Sequence, residues 1–269
     1  MIIDENTGRK MADRSWERGL HQLIEIKENC KVTGQREHLA RMTYQRFFGR
    51  YLWLAGMSGT LSEVRQEIWR VYGVPVEKVI TNKNSLRANE GRHFFSSKRE
   101  KWKGIVQCVQ EKKDAGQPVL VGTRSVADSE MLSDLLSSNN IEHKVLNARQ
   151  DLEEADIVAG AGQAGTVTIA TNMAGRGTDI PLGEGVAHLG GLHVICAELN
   201  DERRIDRQLQ GRCARQGDPG SFVTFLSPDD GLLISLFGIE KESILRKILR
   251  LDNSLCRMLG LLVSVYAQN

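Results

Sequence analysis

From residue 119 onward, short runs of aliphatic and β-branched residues alternate with stretches whose apolar positions recur at helical spacing. Val119–Gly122, Lys144–Leu146, Val167–Ala170, His193–Ala197 and Phe222–Leu226 read as strands. Residues 125–138, 151–159 and a segment opening at Arg203 read as the helices between them. Such alternation predicts βαβ units around a parallel sheet, an α/β fold. Ser125 and Asp128 have the spacing of a capping box at the first of these helices. A further helix, from about Ser97 to Lys113, leads into the first strand.

Upstream the pattern is helical without strands. Leu20, Leu23 and Ile24 mark a first helix, and a second runs from about Glu37 to Leu54. Thr60-Leu-Ser-Glu63 has the form of a capping box and opens a third, through Val64, Ile68, Val71 and Tyr72, that stops at Gly73. Val74 to Ser85, with Pro75 and the polar TNKNS, reads as an inter-domain hinge. After Leu226, SPDDG breaks the strand–helix pattern. Leu232, Leu233, Leu236, Ile244, Ile248, Leu249 and Leu251 then give apolar faces to a helical tail, read as a packed scaffold helix in preference to a membrane-surface helix.

Composition narrows the class. A length of 269 residues fits one or two domains, and 41% hydrophobic residues suffice for a sizeable core. The net charge of +2 comes from interspersed acids and bases, and aromatics make up 6%, so nothing argues for a nucleic-acid partner. Cys30, Cys108, Cys196, Cys213 and Cys256 never take a CxxC spacing and read as free thiols of a reducing cytoplasm, with no metal site expected. Asp4 and Glu5 interrupt any apolar leader, and no apolar run approaches the ~20 residues of a membrane span.

Two segments carry candidate chemistry. The first, ATNMAGRGTDI (Ala170 to Ile180), follows the strand VTI. Loops at the carboxyl ends of parallel strands are where ligands sit, and Gly175 and Gly177 allow close backbone approach to a phosphate or sugar. Arg176 suits phosphate oxygens and Asp179 suits ribose hydroxyls; the plainer alternative is a tight turn in which Asp179 caps a backbone group. The second is RRIDRQLQGRCARQGDPGS (Arg203 to Ser221). Ile205, Leu209 and Cys213 form one apolar stripe, while Gln208, Arg212 and Arg215, at i, i+4 and i+7, share a second face. Two guanidiniums on one face repel unless an anion or an acidic partner meets them. A polyphosphate clamp with an arginine finger, worth roughly 10³ to 10⁵ in rate where it operates, competes with a solvated basic face.

In this order and spacing the two segments resemble the fifth and sixth motor motifs of the preprotein translocase ATPase family SecA. GGLHVI (Gly190 to Ile195), GQPVLVGTRSVADSE (Gly116 to Glu130), LAGMSGT (Leu54 to Thr60) and TGRKMADRSWERGLHQLIEIKE (Thr7 to Glu28) are similar to further family segments, so the resemblance covers almost all of residues 1–228. It implies a RecA-like parallel sheet with flanking helices, preceded by a helical remnant of the first motor lobe and followed by a helical tail. The implied division is residues 1–80 for that remnant, 81–228 for the second motor lobe and 229–269 for the start of the scaffold. The resemblance also implies catalytic roles for Arg215, as the finger, and Arg212. Nucleotide-binding roles fall to Asp179, Arg176, Gly175, Gly177 and Gln208.

The phosphate loop GxxxxGK[ST] occurs nowhere in the 269 residues, and IIDEN (Ile2 to Asn6) imitates a Walker B strand in a context that matches a family domain-re-entry segment instead. ATP, with its magnesium, is therefore expected to depend on a separate P-loop-bearing first lobe, and the chain alone is expected to be inactive. The family further implies a SecYEG-type membrane channel and preprotein substrates as partners, and a cytoplasmic location peripheral to the inner face of the plasma membrane. No nucleic acid is expected, and a homo-oligomer stays open. Where the family usually has QLRGRSGRQGD, this chain has Gln210, Cys213 and Ala214, and CAELNDE (Cys196 to Glu202) replaces GTERHES. That drift fits a divergent paralogue or part of a split or truncated gene. A DEAD-box-type helicase half and a non-hydrolysing docking module are the competing readings.

Overall fold

The computed structural model describes residues 2–3, 10–11, 14–34, 40–146, 154–171 and 178–235. The chain divides into two compact units, Met1–Asp4 with Arg9–Val79, and Glu5–Gly8 with Ile80–Asn269.

In the first unit, β1 (Ile2–Ile3) pairs antiparallel with β2 (Lys10–Met11), followed by α1 (Leu20–Lys27) and α2 (Tyr44–Phe48). A 3₁₀ turn over Leu61–Val64 runs into α3 (Arg65–Tyr72). Asp4 and Glu5, the acidic pair of the Walker B imitation, lie outside the described residues. Of the helix expected over 37–54, residues 37–39 lie outside the described residues, and within 40–54 the helix covers only Tyr44–Phe48. Thr43 caps α2 by accepting from the Arg46 amide at 3.3 Å, and the helix closes at Gly49. Thr60 does not cap: its hydroxyl lies 3.3 Å from that of Ser58, and the turn it precedes tightens to 3₁₀. Gly73 ends α3 in the left-handed region, as expected.

The second unit comprises β3 (Leu86–Phe94), α4 (Lys98–Asp114), β4 (Val119–Thr123), α5 (Val126–Ser138), β5 (Lys144–Leu146) and α6 (Glu154–Gly160). These are followed by β6 (Val167–Thr171), a 3₁₀ turn at Val186–Leu189, β7 (Leu192–Cys196), α7 (Arg203–Gln210) and β8 (Pro219–Leu226). The strands form one sheet in the order β3-β8-β7-β4-β6-β5, parallel throughout. This is the expected RecA-like sheet with flanking helices. Every residue of β4, β6 and β7 is buried, which is why these strands read as continuous apolar runs.

Helices α4 and α5 cover one face, where Ile105, Val109, Leu132 and Leu136 pack on Val121, Ile169 and Ile195. Helices α6 and α7 cover the other, where Val158 and Leu209 pack with Leu120, Ala170 and Val194. The Ser125 cap forms, with its hydroxyl accepting from the Asp128 amide at 3.1 Å and donating to the Asp128 carboxylate at 2.8 Å. Strand β3 departs from the sequence expectation, which has no strand there. LRANEGRHF is polar because it is an edge strand, and its pairing with β8 is interrupted between Asn89 and Arg92, around Gly91. Residues 231–235 begin a helix in which Leu232 and Leu233 are buried, Leu232 against Leu199 and Leu226.

Candidate functional site

Helix α7 is seated on the sheet by a missing side chain. A Cβ on Gly122 of β4 would fall 2.3 Å from Leu209 Cδ2, so only glycine lets Leu209 reach the strand. At the other end of α7 the buried Asp206 carboxylate accepts from the Asn200 amide at 3.0 Å and from Asn200 Nδ2 at 2.7 Å, tying the helix to the loop after β7. Charge-assisted bonds of this kind fix both partners.

The helix ends earlier than its arginine spacing suggests. Gly211 N–H donates to Arg207 O at 2.8 Å, and Arg212 N–H already closes a shorter loop to Leu209 O at 2.9 Å. Ala214 and Gln216 then take φ of 53° and 55°, which no helix continues. Arg212 and Arg215 therefore lie in the connection between α7 and β8 and not on a helical face with Gln208. Cys213 does reach the core beside Leu209, as its stripe implies.

In this connection the two sequence motifs meet. Arg215 Nη1 donates to Asp179 Oδ1 at 2.7 Å, and Arg212 Nη1 donates to the carbonyl of Thr178 at 2.9 Å. Arg215 Nε donates to Gly211 O at 3.0 Å, which folds its guanidinium back toward Asp179. Asp179 is thus the acidic partner of Arg215, while Arg212 turns to the neighbouring Thr178 carbonyl. Its Oδ1 also accepts from the Ile180 amide at 3.1 Å, so the backbone-capping reading holds beside the ion pair. Gly175, Arg176 and Gly177 lie outside the described residues; Gln208, half-buried on α7, makes none of these contacts.

The pair does not sit simply at the carboxyl ends of the strands. Residues 178–183 lie on the face covered by α6 and α7, where Ile180 is buried with Leu209 and Cys213 and where Gly183 N–H donates to Gly162 O. The arginines stand where the chain approaches the start of β8. Both members of the pair are partly exposed, at 37% for Arg215 and 51% for Asp179. Such pairs contribute only about 0–1 kcal/mol, so exchanging Asp179 for another anion costs little.

A second charged cluster occupies the ends of β4, β7 and β8, beside the point where strand order reverses. Arg124 Nη2 lies 2.6 Å from Asp201 Oδ2, and its Nη1 lies 3.7 Å from Glu198 Oε1. Burial pushes Glu198 above the usual carboxylate range, with Asp230 adding to the rise and Lys101 opposing it. Lys101 of α4 is fully buried and ion-paired with Asp230, whose carboxylate also accepts from Ser227 N–H and Oγ–H at 2.8 Å each. Burial raises Asp230 too, against the pull of Lys101. None of these groups stands out in the sequence, because their partners lie up to 129 residues apart.

A family model described as the SecA P-loop domain matches residues 84–188 and 183–253, and one described as the SecA DEAD-like domain matches residues 3–69. The chain is 52% identical over 237 residues to "Protein translocase subunit SecA 2" of Nitrosospira multiformis, covering 88% of this chain and 36% of the relative. It is 55% identical over 232 residues to "Protein translocase subunit SecA 3" of Magnetococcus marinus, covering 86% of this chain and 35% of the relative. It therefore spans about a third of the length of these curated relatives. A solved structure of the E. coli DEAD-box protein SrmB is a distant likeness, at 19% identity and a TM-score of 0.46, covering 55% of this chain and 82% of that one. Over most of its length, and across both motor motifs, the chain belongs to the SecA family.

Proposed function

We propose that the chain supplies the second motor lobe of a SecA-type protein translocase and completes a nucleotide site whose phosphate loop stands on a first lobe. The observation that carries this reading is the 2.7 Å contact between Arg215 and Asp179, which brings the two motifs to one point on the surface. A carboxylate beside two guanidiniums is a donor and acceptor set that fits a ribose hydroxyl and a polyphosphate. Bound ATP with magnesium would supply the phosphoryl group and the energy for moving a preprotein through a membrane channel at the inner face of the plasma membrane. Residues 14–79 would be a helical part of the first lobe, and residues 231–235 would open the scaffold.

In this reading Arg215 and Asp179 hold each other until phosphate oxygens compete for the guanidinium. Asp179, released, accepts a hydrogen bond from the sugar. Arg215 then meets charge that grows only in the transition state, and Arg212, held by the Thr178 carbonyl, senses the terminal phosphate and lobe closure. Arg176, with Gly175 and Gly177, would complete the phosphate contacts, and Gln208 would border them.

The test adds a P-loop-bearing lobe from a SecA relative to this chain and measures ATP and ADP affinity beside turnover. The chain alone should show no hydrolysis above background. With the lobe present, Asp179→Ala should weaken ATP and ADP alike. Arg215→Ala should lower turnover by roughly a thousandfold with little change in affinity. A uniform loss of thermal stability with unaltered turnover per folded molecule would reduce these residues to braces of the lobe.

A further inference from the structure

The connection bearing Arg212 and Arg215 has no regular secondary structure to hold it, yet its backbone is fixed at its midpoint. Cys213 lies between the two arginines. Its carbonyl accepts from Arg87 Nη2 at 3.1 Å and from Arg87 Nε at 3.3 Å. Arg87 belongs to the edge strand β3, 126 residues away, and stands directly opposite Gly220 of β8 in the parallel register. Gly220 is the floor on which the same connection rests. A Cβ there would fall 2.6 Å from the Ala214 amide nitrogen and 2.9 Å from Cys213 Cβ. Residues 213–214 are therefore clamped between a glycine of one strand and an arginine fork of its neighbour.

The clamp has a geometric consequence. Ala214, inside the clamp, and Gln216, just beyond it, take left-handed φ of 53° and 55°, which L side chains adopt rarely. This turn sets the direction in which Arg212 and Arg215 leave the chain. Releasing Cys213 O would free the connection to relax and the arginines to wander.

Resting on the nucleotide-site reading of Arg212 and Arg215, we infer that Arg87 is a positioning residue for this arginine pair. It holds the carbonyl of Cys213 and presets Arg212 and Arg215 before nucleotide arrives.

The test uses the full chain with Arg87→Ala and Arg87→Lys. Lysine keeps the charge and one donor but loses the fork. Hydrogen exchange of the segment 211–218 should quicken by about tenfold in Arg87→Ala, the loss expected for a hydrogen bond to a charged donor, and by less in Arg87→Lys. Exchange in β4 and β7 should stay as in the parent chain. Alkylation of Cys213, buried in the parent, should quicken in parallel while that of Cys196 does not. With a P-loop lobe added, turnover in Arg87→Ala should fall about tenfold with KM changed less than about twofold, and Arg87→Lys should recover part of it. Unchanged exchange and alkylation at 211–218, or an equal rise across the whole sheet, would overturn the inference. If Arg215→Ala leaves turnover intact while Arg87→Ala still loosens 211–218, the catalytic reading of the site fails and the clamp stands.

Discussion

Residues 14–79 leave Leu52, Trp53 and Met57 at 95%, 93% and 99% exposure, whereas Ile105, Val121 and Ile195 of the sheet unit stand at 0%. No described residue of 14–79 is buried. Its rings touch chiefly each other, as Phe47 does with Phe48 and Tyr51 at centroid distances of 5.3 and 5.8 Å. Among its described residues, the sheet unit exposes only Ile80, Leu86 and Leu189 as large apolar side chains. The two regions differ in what their helices have to pack on. Helices α4 and α5 close over the buried strands β4, β6 and β7, while α1 to α3 carry apolar faces in a unit whose only described sheet is the two-residue pair β1–β2. Exposed apolar surface of that extent marks a partner surface. Under the proposal that the chain supplies a second motor lobe, that partner would be the rest of the first.

The comparison can be broken at the sheet unit with the largest expected effect. Lys101→Met leaves Asp230 buried without its cation and should cost about 3–5 kcal/mol in urea unfolding followed by far-UV circular dichroism. The double variant Lys101→Met, Asp230→Leu should recover most of that loss, because the uncompensated charge is gone. A single variant as stable as the parent would show the pair to be dispensable.

Acidity gives the next effect. Burial lowers the His193 pKa from 6.5 to about 4, where its ring faces Ser221 at 2.7 Å and Cys108 at 3.8 Å, with Glu90 and Lys112 nearby. The unfolded chain takes up the proton first, so the stability this group contributes is full above pH 6.5 and declines as pH falls toward 4. The decline attributable to this one group should be on the order of 1–2 kcal/mol between about pH 7.5 and 5. His193→Gln should flatten that slope; an unchanged slope would place the titration elsewhere.

Ala214 offers a smaller gain. It sits at φ 53°, where the SecA resemblance places glycine, and Ala214→Gly should stabilise the sheet unit by about 0.5–1 kcal/mol. A loss of stability on that change would mean the Ala214 methyl group contributes packing that outweighs the strain. Least of all, Leu52→Ser and Trp53→Ser should leave the unfolding free energy within about 0.5 kcal/mol of the parent, since both side chains are almost fully exposed. They should nevertheless reduce binding of an apolar dye. A marked loss of stability would show that residues 14–79 already possess a core.

The same contrast governs what the sequence could reveal. Buried parallel strands such as VLVGT and VTIAT announce themselves by composition, and Ser125 announces the start of α5, because the physics that makes each is local. Strand β3 is hidden, since an edge strand such as LRANEGRHF need not be apolar and its partner begins only at Pro219. Spacing alone puts Gln208, Arg212 and Arg215 on one helical face because it carries past the helix end. The left-handed turns at Ala214 and Gln216 fall on residues whose type does not announce them. Asp179 and Arg215 are legible as chemistry, but their mutual contact is not. Arg87 and Asp206 are invisible for the same reason, each acting through a backbone or side-chain partner supplied by the fold. In 14–79, helical spacing is legible at Leu20 and Ile68, but the stop at Gly49 overrides the spacing that follows.

The most direct measurement is hydrogen exchange of the chain alone and after addition of a P-loop-bearing lobe from a SecA relative, with and without ATP. A second lobe awaiting its first predicts that residues 14–79 exchange rapidly alone while Val119–Thr123 and Leu192–Cys196 are protected. The added lobe should slow exchange across 14–79, and ATP should then protect 178–180 and 211–218. Residues 14–79 as protected in isolation as the sheet, or unchanged exchange in both regions once lobe and nucleotide are present, would contradict it.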